Sequence, residues 1–310
     1  MTGNQLQDPP LAAGIEAAAV PDPVARADGR RPSLWRRLRR ARVLYWAAIA
    51  WLSVLAAVAL FANLLPIADP AEFVGRPFTP PGWSFPEPLG TDNSGRSQLS
   101  RLVFGARQSL AVGLLSVLLA MAVGTAIGMA AGFWRGKVDR VLSLLIDSML
   151  AFPPLVLLLA LAAALQPTIS TIVVALAVLL TPTFARLTRG STLAYRSREF
   201  ILAARALGAG TPRLLGRELL PNVLLTVSSY FFVVVATAIV AEGSLSFLGL
   251  GIPPPAPSWG GMISDARSSL SLHPEQVAIP ATVFVLTVMA LNVVGEHVRR
   301  RIEGSGPAAG

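Results

Sequence analysis

The sequence has no cysteine, and its 310 residues include only two histidines, His273 and His297. The absence of cysteine excludes disulfides, thiolate nucleophiles and zinc sites built on thiolates. Neither histidine lies in a His-Glu-x-x-His motif, and no Gly-x-Ser-x-Gly motif is present. An intramembrane or hydrolytic enzyme is therefore poorly supported, and we expect no catalytic residue, no bound cofactor and no metal site in this chain.

Lysine is nearly as scarce, because Lys137 is the only one in the chain. It lies in the stretch Gly132-Phe-Trp-Arg-Gly-Lys-Val138, which partly matches a phosphate-binding loop. The spacing is one residue short, Val138 occupies the position of the metal-binding Ser or Thr, and no strand precedes the stretch. Since a second loop of this kind would need another lysine, any ATP hydrolysis must come from a different chain.

Charged residues are also few: they make up 14% of the chain, against 53% hydrophobic residues. This composition is far too apolar for an ordinary soluble domain and indicates a membrane protein. The formal net charge is +9, but the basic residues flank apolar runs and are not interleaved with exposed aromatic residues. We therefore expect a lipid bilayer, and no nucleic acid, as the partner of this positive charge.

Six apolar runs are long enough to be membrane spans, given a hydrocarbon layer roughly 30 Å thick. They lie at about residues 43–65, 110–133, 141–165, 168–187, 223–241 and 277–294. The first run is too long for the apolar region of a cleaved signal peptide, so we expect it to be retained. The sequence therefore predicts an all-α, polytopic membrane protein with six transmembrane helices and a membrane domain at residues 43–298.

The distribution of lysine and arginine predicts the orientation of these spans. Of the 26 basic residues, 21 fall on one side of the predicted membrane and five on the other, namely Arg76, Arg96, Arg101, Arg107 and Arg267. Because basic residues concentrate on the cytoplasmic side, both termini are predicted to be cytoplasmic. Residues 1–42 are expected to form a disordered basic tail, and residues 299–310 a second cytoplasmic tail.

A polar stretch separates the fourth and fifth predicted spans, and we refer to its residues 195–222 as the interspan segment. Phe200–Leu207 reads as a short helix, which Gly208 and Gly210 can end in a left-handed cap. Thr211 is expected to cap a second helix that leads into the fifth span. The segment is therefore predicted to be an ordered helix, break and helix on the cytoplasmic side.

The second predicted span carries glycines at small-xxx-small spacing, at Gly124, Gly128 and Gly132. Such a stripe lets two helix backbones approach closely. Two partners are open, a helix of the same chain or a helix of a second subunit. Packing within the chain is the simpler expectation.

Three residues inside the predicted spans interrupt their apolar character: Asp147, Pro153 and Glu242. A carboxylate at membrane depth costs a few kcal/mol, so it should face protein or a water-filled path. Asp147 and Glu242 are candidate residues of a translocation path or gate. The alternatives are contact between Asp147 and an arginine such as Arg140, and a structural hydrogen bond for Glu242. Pro153, followed by Pro154, should break its helix, and the break either lines a path or is a static kink.

Two further stretches flank the spans on the side opposite the interspan segment. Before the second span, Leu89-Gly90-Thr91-Asp92 precedes Leu99, Leu102 and Val103, whose spacing fits an amphipathic helix lying on the membrane surface. After the fifth span, the glycine-dense stretch 243–251 and the prolines behind it are too short to cross the membrane. They predict a re-entrant or surface-lying turn.

Three motifs, in this order, resemble the permease subunits of bacterial ABC importers of the peptide and nickel type, and in particular the second, C-type subunit. They are the stretch from Leu89 to Ser109, the spacing Ala203-Ala204, Gly208 and Leu220-Pro221 in the interspan segment, and the stretch from Glu242 to Gly261 with its Leu-Ser-Phe-Leu-Gly-Leu-Gly run. Ser97 stands where the family usually has Asp, and Leu202 where it usually has Glu. The resemblance covers about residues 88–296.

This resemblance implies a type I importer permease fold and a role in moving peptides across the bacterial cytoplasmic membrane by alternating access, with nickel chelates or other small solutes as alternative cargo. It implies a heterodimer with a homologous permease subunit, two ATPase subunits that bind ATP and Mg, and an extracytoplasmic substrate-binding protein. Coupling to the ATPase would fall to six residues of the interspan segment, namely Ala203, Ala204, Arg205, Gly208, Leu220 and Pro221. A secondary transporter or channel is the competing interpretation, and the sequence offers no visible inverted repeat to support it.

Overall fold

The computed structural model describes residues 34–82, 87–164, 166 and 168–304, with side chains between residues 42 and 302 of these ranges. The chain divides into two units, Met1–Arg40 and Ala41–Gly310. Of the first unit only the beginning of a helix at Leu34 is described, so the tail predicted at residues 1–33 lies outside the described residues. Residues 34–42, predicted as part of that tail, are helical. Leucine, alanine and arginine are good helix formers and extend the helix ahead of the apolar run, whereas the stretch that is apolar enough to cross a membrane begins at Arg42, next to the predicted boundary.

Helices make up most of the described ranges, and no strand occurs within them. The α-helices are α1 (Leu34–Leu60), α2 (Gln98–Trp134), α3 (Lys137–Ala151), α4 (Pro154–Ala164), α5 (Ile169–Tyr195), α6 (Glu199–Ala206), α7 (Thr211–Arg213), α8 (Leu220–Ser228), α9 (Phe231–Phe247), α10 (Trp259–Asp265) and α11 (Glu275–Gly304). A π-helical turn at Leu214–Leu219 joins α7 to α8. Because α11 continues to Gly304, the first part of the tail predicted at residues 299–310 is helical.

Four helical stretches are long and apolar enough to cross a membrane: Arg42–Leu60, Gln98–Trp134, Ile169–Tyr195 and Glu275–Ile302. Two bent pairs meet the same criterion together, α3 with α4 at 91° and α7–α8 with α9 at 55°. If each bent pair is one span, the described part of the chain contains six. The predicted all-α, polytopic membrane fold is confirmed.

Helix α2 is longer than the span predicted at residues 110–133, because it begins at Gln98. Ser97 caps its first turn, and the Ser97 side chain accepts a hydrogen bond from the Ser100 N–H at 3.2 Å. The Ser100 hydroxyl in turn donates to the carbonyl of Ala68 at 2.6 Å. These contacts fix the start of α2 to the loop that precedes it.

The amphipathic surface helix predicted from Leu99, Leu102 and Val103 is wrong as a separate element, because these residues lie in the first turns of α2. Val103 is buried, and the Leu102 carbonyl accepts a hydrogen bond from Trp259 Nε1 at 3.1 Å. The face that the pattern assigned to lipid therefore contacts α10. A helix on the membrane surface and a helix packed on another helix show the same sequence pattern, since each needs one apolar face.

Helices α2 and α5 pack at very short range along the glycine stripe of α2. A Cβ atom added at Gly124 would lie 2.7 Å from Phe184 Cβ, and one added at Gly132 would lie 2.7 Å from Thr192 Cβ. Gly128 is equally closely packed against α5. The stripe therefore packs within the chain, which confirms the simpler expectation, and any larger residue would force the two helices apart.

The main apolar core surrounds this contact and includes α8 and α9. Val223 and Val227 of α8 are completely buried in the same cluster as Phe184 of α5 and Ile239 of α9. Burial of each valine contributes about 1.5 kcal/mol. Because α8 continues from the interspan segment, the core fixes the position at which that segment enters the membrane domain.

Pro153 separates α3 from α4, which confirms the helix break predicted within the span at residues 141–165. Phe152 is extended, with φ −75° and ψ 135°, and the two helices meet at 91°. The break follows from the Pro153-Pro154 pair, since proline lacks an N–H, clashes with the preceding turn and favours an extended residue before it. The helix break itself was expected from the sequence, whereas its large angle was not.

Helix α1 ends at Leu60, ahead of the predicted Leu65, and is attached mainly to α11. Trp51 Nε1 donates a hydrogen bond to Thr287 Oγ1 at 3.2 Å, and the Tyr45 ring stacks on His297 with centroids 3.9 Å apart. Many other side chains of α1 are exposed in the described chain. The exposed side chains of α1 are therefore those expected of a helix that is surrounded largely by lipid.

Candidate functional site

The first half of the interspan segment is α6 (Glu199–Ala206), one residue earlier than the predicted helix at Phe200–Leu207. Gly208 follows with φ +81°, and its N–H donates to the Arg205 carbonyl at 3.0 Å. This is the left-handed cap expected from the sequence. Glycine adopts that conformation without the steric cost of a Cβ atom.

Two details of the predicted break are wrong. Gly210 has φ −70° and ψ 164°, so it is extended and not left-handed. It is Gly210 that precedes α7, and Thr211 is already the first helical residue, with no side-chain capping bond at this end. The second helix thus begins one residue earlier than a threonine cap would place it, and Pro212 lies within its first turn.

The inner face of the interspan segment packs on the chain itself. Ile201, Leu214 and Leu219 are at most 3% exposed and form one apolar cluster with the partly buried Phe133 and Tyr195. Phe133 lies near the end of α2 and Tyr195 ends α5. The segment is therefore held against the ends of α2 and α5, and burying its three side chains contributes about 2 kcal/mol each.

The outer face of the interspan segment carries exposed leucines among charged residues. Leu207 is 89% exposed and Leu202 is 51% exposed. Exposed residues also include four of the six predicted coupling residues, Ala203, Arg205, Gly208 and Pro221, while Ala204 and Leu220 are half-buried. This face therefore presents apolar side chains that no described residue covers.

The second half of the interspan segment is a continuous helix that contains a π turn, which the sequence reading missed. The Leu220 N–H donates to the carbonyl of Leu215, five residues earlier. Pro221 follows, and it has no N–H to donate. The wider π turn relieves the clash between a proline ring and the preceding helical turn. Pro221 is therefore inside a helix and not at the junction between the segment and the next span.

Asp147 of α3 forms an ion pair with Arg186 of α5, whose Nη2 lies 2.6 Å from Asp147 Oδ1. The suggested partner Arg140 is wrong, because it lies on the same helix while α5 packs alongside. Both paired side chains are 61% exposed, so the pair adds little to stability. Asp147 and Glu242 share no partner among the described residues, so the structure does not assemble them into one site.

A second ion pair between α3 and α5 was not anticipated. Arg189 binds Asp139 through both carboxylate oxygens, with Nε to Oδ1 at 2.6 Å and Nη2 to Oδ2 at 2.9 Å. Such bidentate pairs are stronger and more directional than single contacts. The two pairs hold α3 against α5 near the interspan segment. No sequence signal identifies Arg189 as the partner, since fifty positions separate it from Asp139.

Glu242 of α9 is completely buried. Its Oε1 accepts a hydrogen bond from Ser246 Oγ at 2.7 Å, and its Oε2 accepts one from Ser109 Oγ at 3.3 Å. Ser109 Oγ also accepts the Trp259 N–H at 3.3 Å, and Ser246 Oγ lies 3.3 Å from Ser258 Oγ. This one carboxyl group joins α2, α9 and the start of α10. Since it does not reach solvent, the geometry favours the structural alternative over a gate that contacts the cargo.

A cluster of polar side chains also joins the elements at the end of the molecule remote from the interspan segment. We call this cluster the polar cap, and it consists of Asp92, Gln98, Arg101, Asp265 and Gln276. Gln98, Arg101 and Gln276 are buried, Asp92 is half-buried and Asp265 is exposed. Arg101 lies 3.3 Å from Asp92 through Nε and 3.2 Å from Asp265 through Nη2. Gln276 Nε2 donates to the Thr91 carbonyl at 2.8 Å. The cap thus connects the loop before α2 to α2, α10 and α11.

A cavity of about 540 Å³ lies beside the polar cap, lined in part by Arg96, Arg101, Ser246, Asp265 and the prolines of the turn before α10. Partial burial raises the pKa of the Asp265 carboxyl, although the Arg101 and Arg96 guanidinium groups act in the opposite direction. Asp92 and Arg101 both lie in the motif between Leu89 and Ser109. The contact between Arg101 and Asp265 could not be predicted from the sequence, because 164 positions separate the two residues.

Residues 124–304 match the family described as binding-protein-dependent transport system inner membrane component. The chain belongs to this family. It is 36% identical over 269 residues to the glutathione transport system permease protein GsiD of Pectobacterium atrosepticum, a match that spans 87% of this chain and 89% of that protein. It is 35% identical over 291 residues to the protein of the same name from Escherichia coli O6:K15:H31, which covers 93% of this chain and 96% of that protein.

The fold of this inner membrane component also matches a solved structure. The MetNI methionine ABC transporter, in inward-facing conformations, gives a TM-score of 0.55 at 18% identity, covering 65% of this chain and 96% of that chain. A second crystal form gives the same TM-score over 66% and 97%. At this identity the likeness establishes the fold alone. The predicted importer permease fold and the predicted family are confirmed, and the protein is a multi-pass protein of the bacterial inner membrane.

Proposed function

We propose that this inner membrane component is the translocation subunit of an ATP-driven importer for short peptides. The observation that carries the proposal is the similarity to glutathione transport permeases along 87% and 93% of the chain. Glutathione is a tripeptide. The match includes both the interspan segment and the polar cap, so the similarity extends over the whole permease chain and is not limited to one motif. Nickel chelates and other small solutes are the alternative cargo of the same machinery.

The interspan segment is proposed to bind a separate ATPase subunit on the cytoplasmic side. Its exposed apolar face, which includes Leu202 and Leu207, supports this, because a buried partner surface would remove both side chains from water. ATP and Mg would be bound by the ATPase, and this chain would contribute neither a catalytic group nor a cofactor site. Both termini would then lie in the cytoplasm, in line with the distribution of arginine.

The complete importer is proposed to contain a homologous permease subunit, two ATPase subunits and an extracytoplasmic substrate-binding protein. Docking of an ATPase can change the conformation of the spans only if it binds two arrangements of the interspan segment with unequal affinity. The helix that runs from Thr211 to Ser228 supports this transmission, since it connects the second half of the interspan segment to the buried Val223 and Val227. The first half is attached to it through the apolar cluster of Ile201, Leu214 and Leu219. Alternating access would follow from these connections.

The experiment is reconstitution of the chain with its ATPase and binding protein, followed by measurement of peptide uptake and of peptide-stimulated ATP hydrolysis. Gly208→Asp should abolish both activities while membrane insertion is retained, because it places a charge and a strained residue on the proposed docking face. Gly136→Asp is a matched control. Gly136 is also exposed with a positive φ of +72°, and no heavy atom lies near its missing Cβ, but it lies outside the interspan segment.

Two results would contradict the proposal. Unchanged coupled transport in Gly208→Asp would show that the interspan segment does not dock the ATPase. Uptake that proceeds without any ATPase would favour a secondary transporter or channel. Uptake of nickel chelates without uptake of peptides would support an ATP-driven importer but contradict peptides as its cargo.

A further inference from the structure

An apolar groove of about 370 Å³ lies on the membrane-facing side of the bundle, between α1, α2, α9 and α11. Its lining includes Leu52, Ala56 and Leu60 of α1, Leu114 of α2 and Phe232 of α9, and the charged side chain in it is that of Arg107. Arg107 lies near the start of α2, toward the polar cap. The groove is therefore apolar along its length and basic at one end.

The length of the groove corresponds to one leaflet of a bilayer. From Leu52 to Leu60 the α1 helix rises about 12 Å, and from Arg107 to Leu114 the α2 helix rises about 10 Å. Half of the hydrocarbon layer is about 15 Å thick. Arg107 is thus positioned at the membrane surface when the apolar part of the groove lies among the acyl chains of the leaflet on the polar-cap side.

The lining of the groove favours a hydrocarbon chain as its occupant. Apart from Arg107, every side chain that lines the groove is apolar, so the groove offers no hydrogen-bonding group along its length. An extended hydrocarbon chain restores the dispersion contacts that an empty groove would lack.

The charge at the groove end selects the headgroup. Arg107 is exposed and donates one long hydrogen bond, from Nη1 to Asn63 Oδ1 at 3.4 Å, and it forms no ion pair with any described residue. A guanidinium group in this position is suited to bind phosphate oxygens in a bidentate manner. Leu60 and Leu64 beside it are 72% and 79% exposed, as expected for side chains surrounded by lipid.

We propose that this groove binds one phospholipid, with an acyl chain between α1 and α2 and its phosphate on Arg107, and that it prefers an anionic headgroup. The bound lipid would complete the packing of α1, whose described protein contacts are few. This inference depends on the membrane location of the chain and not on its cargo or its ATPase.

The test is native mass spectrometry of the full chain, purified in the complex it forms, titrated with dioleoyl phosphatidylglycerol and, separately, with dioleoyl phosphatidylcholine. Wild type should retain one phosphatidylglycerol more tightly than phosphatidylcholine. Arg107→Gln should weaken phosphatidylglycerol binding about ten-fold, the effect of losing one charge-assisted contact. Arg76→Gln is the control, since Arg76 is an exposed arginine of the loop before α2 that does not line the groove.

A second variant tests the acyl-chain site separately. Ala56→Phe should fill the groove and remove binding of both lipids, whereas Ala126→Phe, at an exposed alanine of α2 outside the groove, should leave both unchanged. Lipid binding that survives both Arg107→Gln and Ala56→Phe would overturn the proposal. So would disulfide or bifunctional cross-linking of Ala56→Cys to another subunit, a clean experiment because the chain has no other cysteine.

Discussion

The interspan segment and the polar cap lie at opposite ends of α2, about 55 Å apart along a 37-residue helix. They use their side chains in contrasting ways. The polar cap buries charged and amide groups, as shown by Arg101 at 6% exposure of its side chain. The interspan segment instead leaves Leu207 89% exposed.

This contrast separates an end whose polar side chains bond mainly within the chain from an end with an uncovered face. In the polar cap, buried polar atoms bond to residues far away in sequence, such as Gln276 to Thr91 and Gln98 to Gln276. Breaking one such contact leaves a buried group unpaired, so this end should control stability. The interspan segment has one face packed and one face uncovered. Its outer residues should therefore affect activity in the complex while stability stays nearly constant.

The largest expected effect is at the centre of the polar cap. Arg101→Leu should lower the free energy of unfolding by about 3 kcal/mol, because it breaks the largely buried ion pair with Asp92, whose side chain is 14% exposed. The pair with Asp265 adds little, since that carboxylate is 53% exposed. Denaturation of the purified protein in detergent measures the change. Arg205→Leu, at an exposed arginine of α6, is the control and should change stability by less than about 0.5 kcal/mol. Equal losses of unfolding free energy in the two variants would contradict the proposed difference between the polar cap and the interspan segment.

A smaller loss of stability is expected at Glu242. Glu242→Ala should cost about 2 kcal/mol, because the hydroxyl groups of Ser109 and Ser246 lose their buried acceptor. Glu242→Gln keeps a carbonyl acceptor of nearly the same shape and should cost less than about 1 kcal/mol. Thermal unfolding of the two variants measures this difference in stability. If transport fails in Glu242→Gln while the unfolding temperature is unchanged, the structural role assigned to this carboxyl group is wrong.

The interspan segment allows a matched pair of substitutions on its two faces. Leu207→Asp should leave the unfolding temperature unchanged and reduce peptide-stimulated ATP hydrolysis about ten-fold, equal to about 1.4 kcal/mol of docking free energy. Leu214→Asp, at a residue 3% exposed, should unfold the segment. Circular dichroism and ATPase assays on both variants measure this. A stability loss in Leu207→Asp would mean that its face is already covered.

The smallest effect concerns pH at the polar cap. Because burial raises the pKa of Asp265 above its ordinary value of 3.8, the folded protein holds this proton to higher pH than the unfolded chain does. Stability should therefore fall slightly as pH rises from the ordinary value through the raised one. Asp265→Asn should remove that part of the pH dependence. Unfolding midpoints between about pH 3 and 6 test it, and identical profiles would contradict the raised pKa.

Features that depend on local backbone chemistry could be predicted from the sequence. The left-handed cap at Gly208 was expected because glycine tolerates that conformation, and the break between α3 and α4 follows from Pro153-Pro154. The apolar runs likewise predicted six spans, which the structure matches if each of the two bent helix pairs is one span, because hydrophobic length reports directly on the thickness of a bilayer.

Features that depend on distant contacts could not be predicted. The start of α2 at Gln98 is set by the residues that cover it, and the partner of Glu242 lies 133 positions away at Ser109. The apolar pattern of Leu99, Leu102 and Val103 was read correctly as one face of a helix, but nothing in it distinguishes lipid from protein. The surroundings of these side chains are a property of the fold and not of the local sequence.

The π turn at Leu214–Leu219 carries one more residue than the same turn of an α-helix would. Each residue of an α-helix rotates the chain by about 100°. Deleting Gly216 would therefore turn the side chains of α7 around the axis of α8 by roughly that angle. Leu214 and Leu219 of this turn form one cluster with Ile201 of α6, so the length of the turn, more than its composition, sets how the interspan segment lies on the ends of α2 and α5.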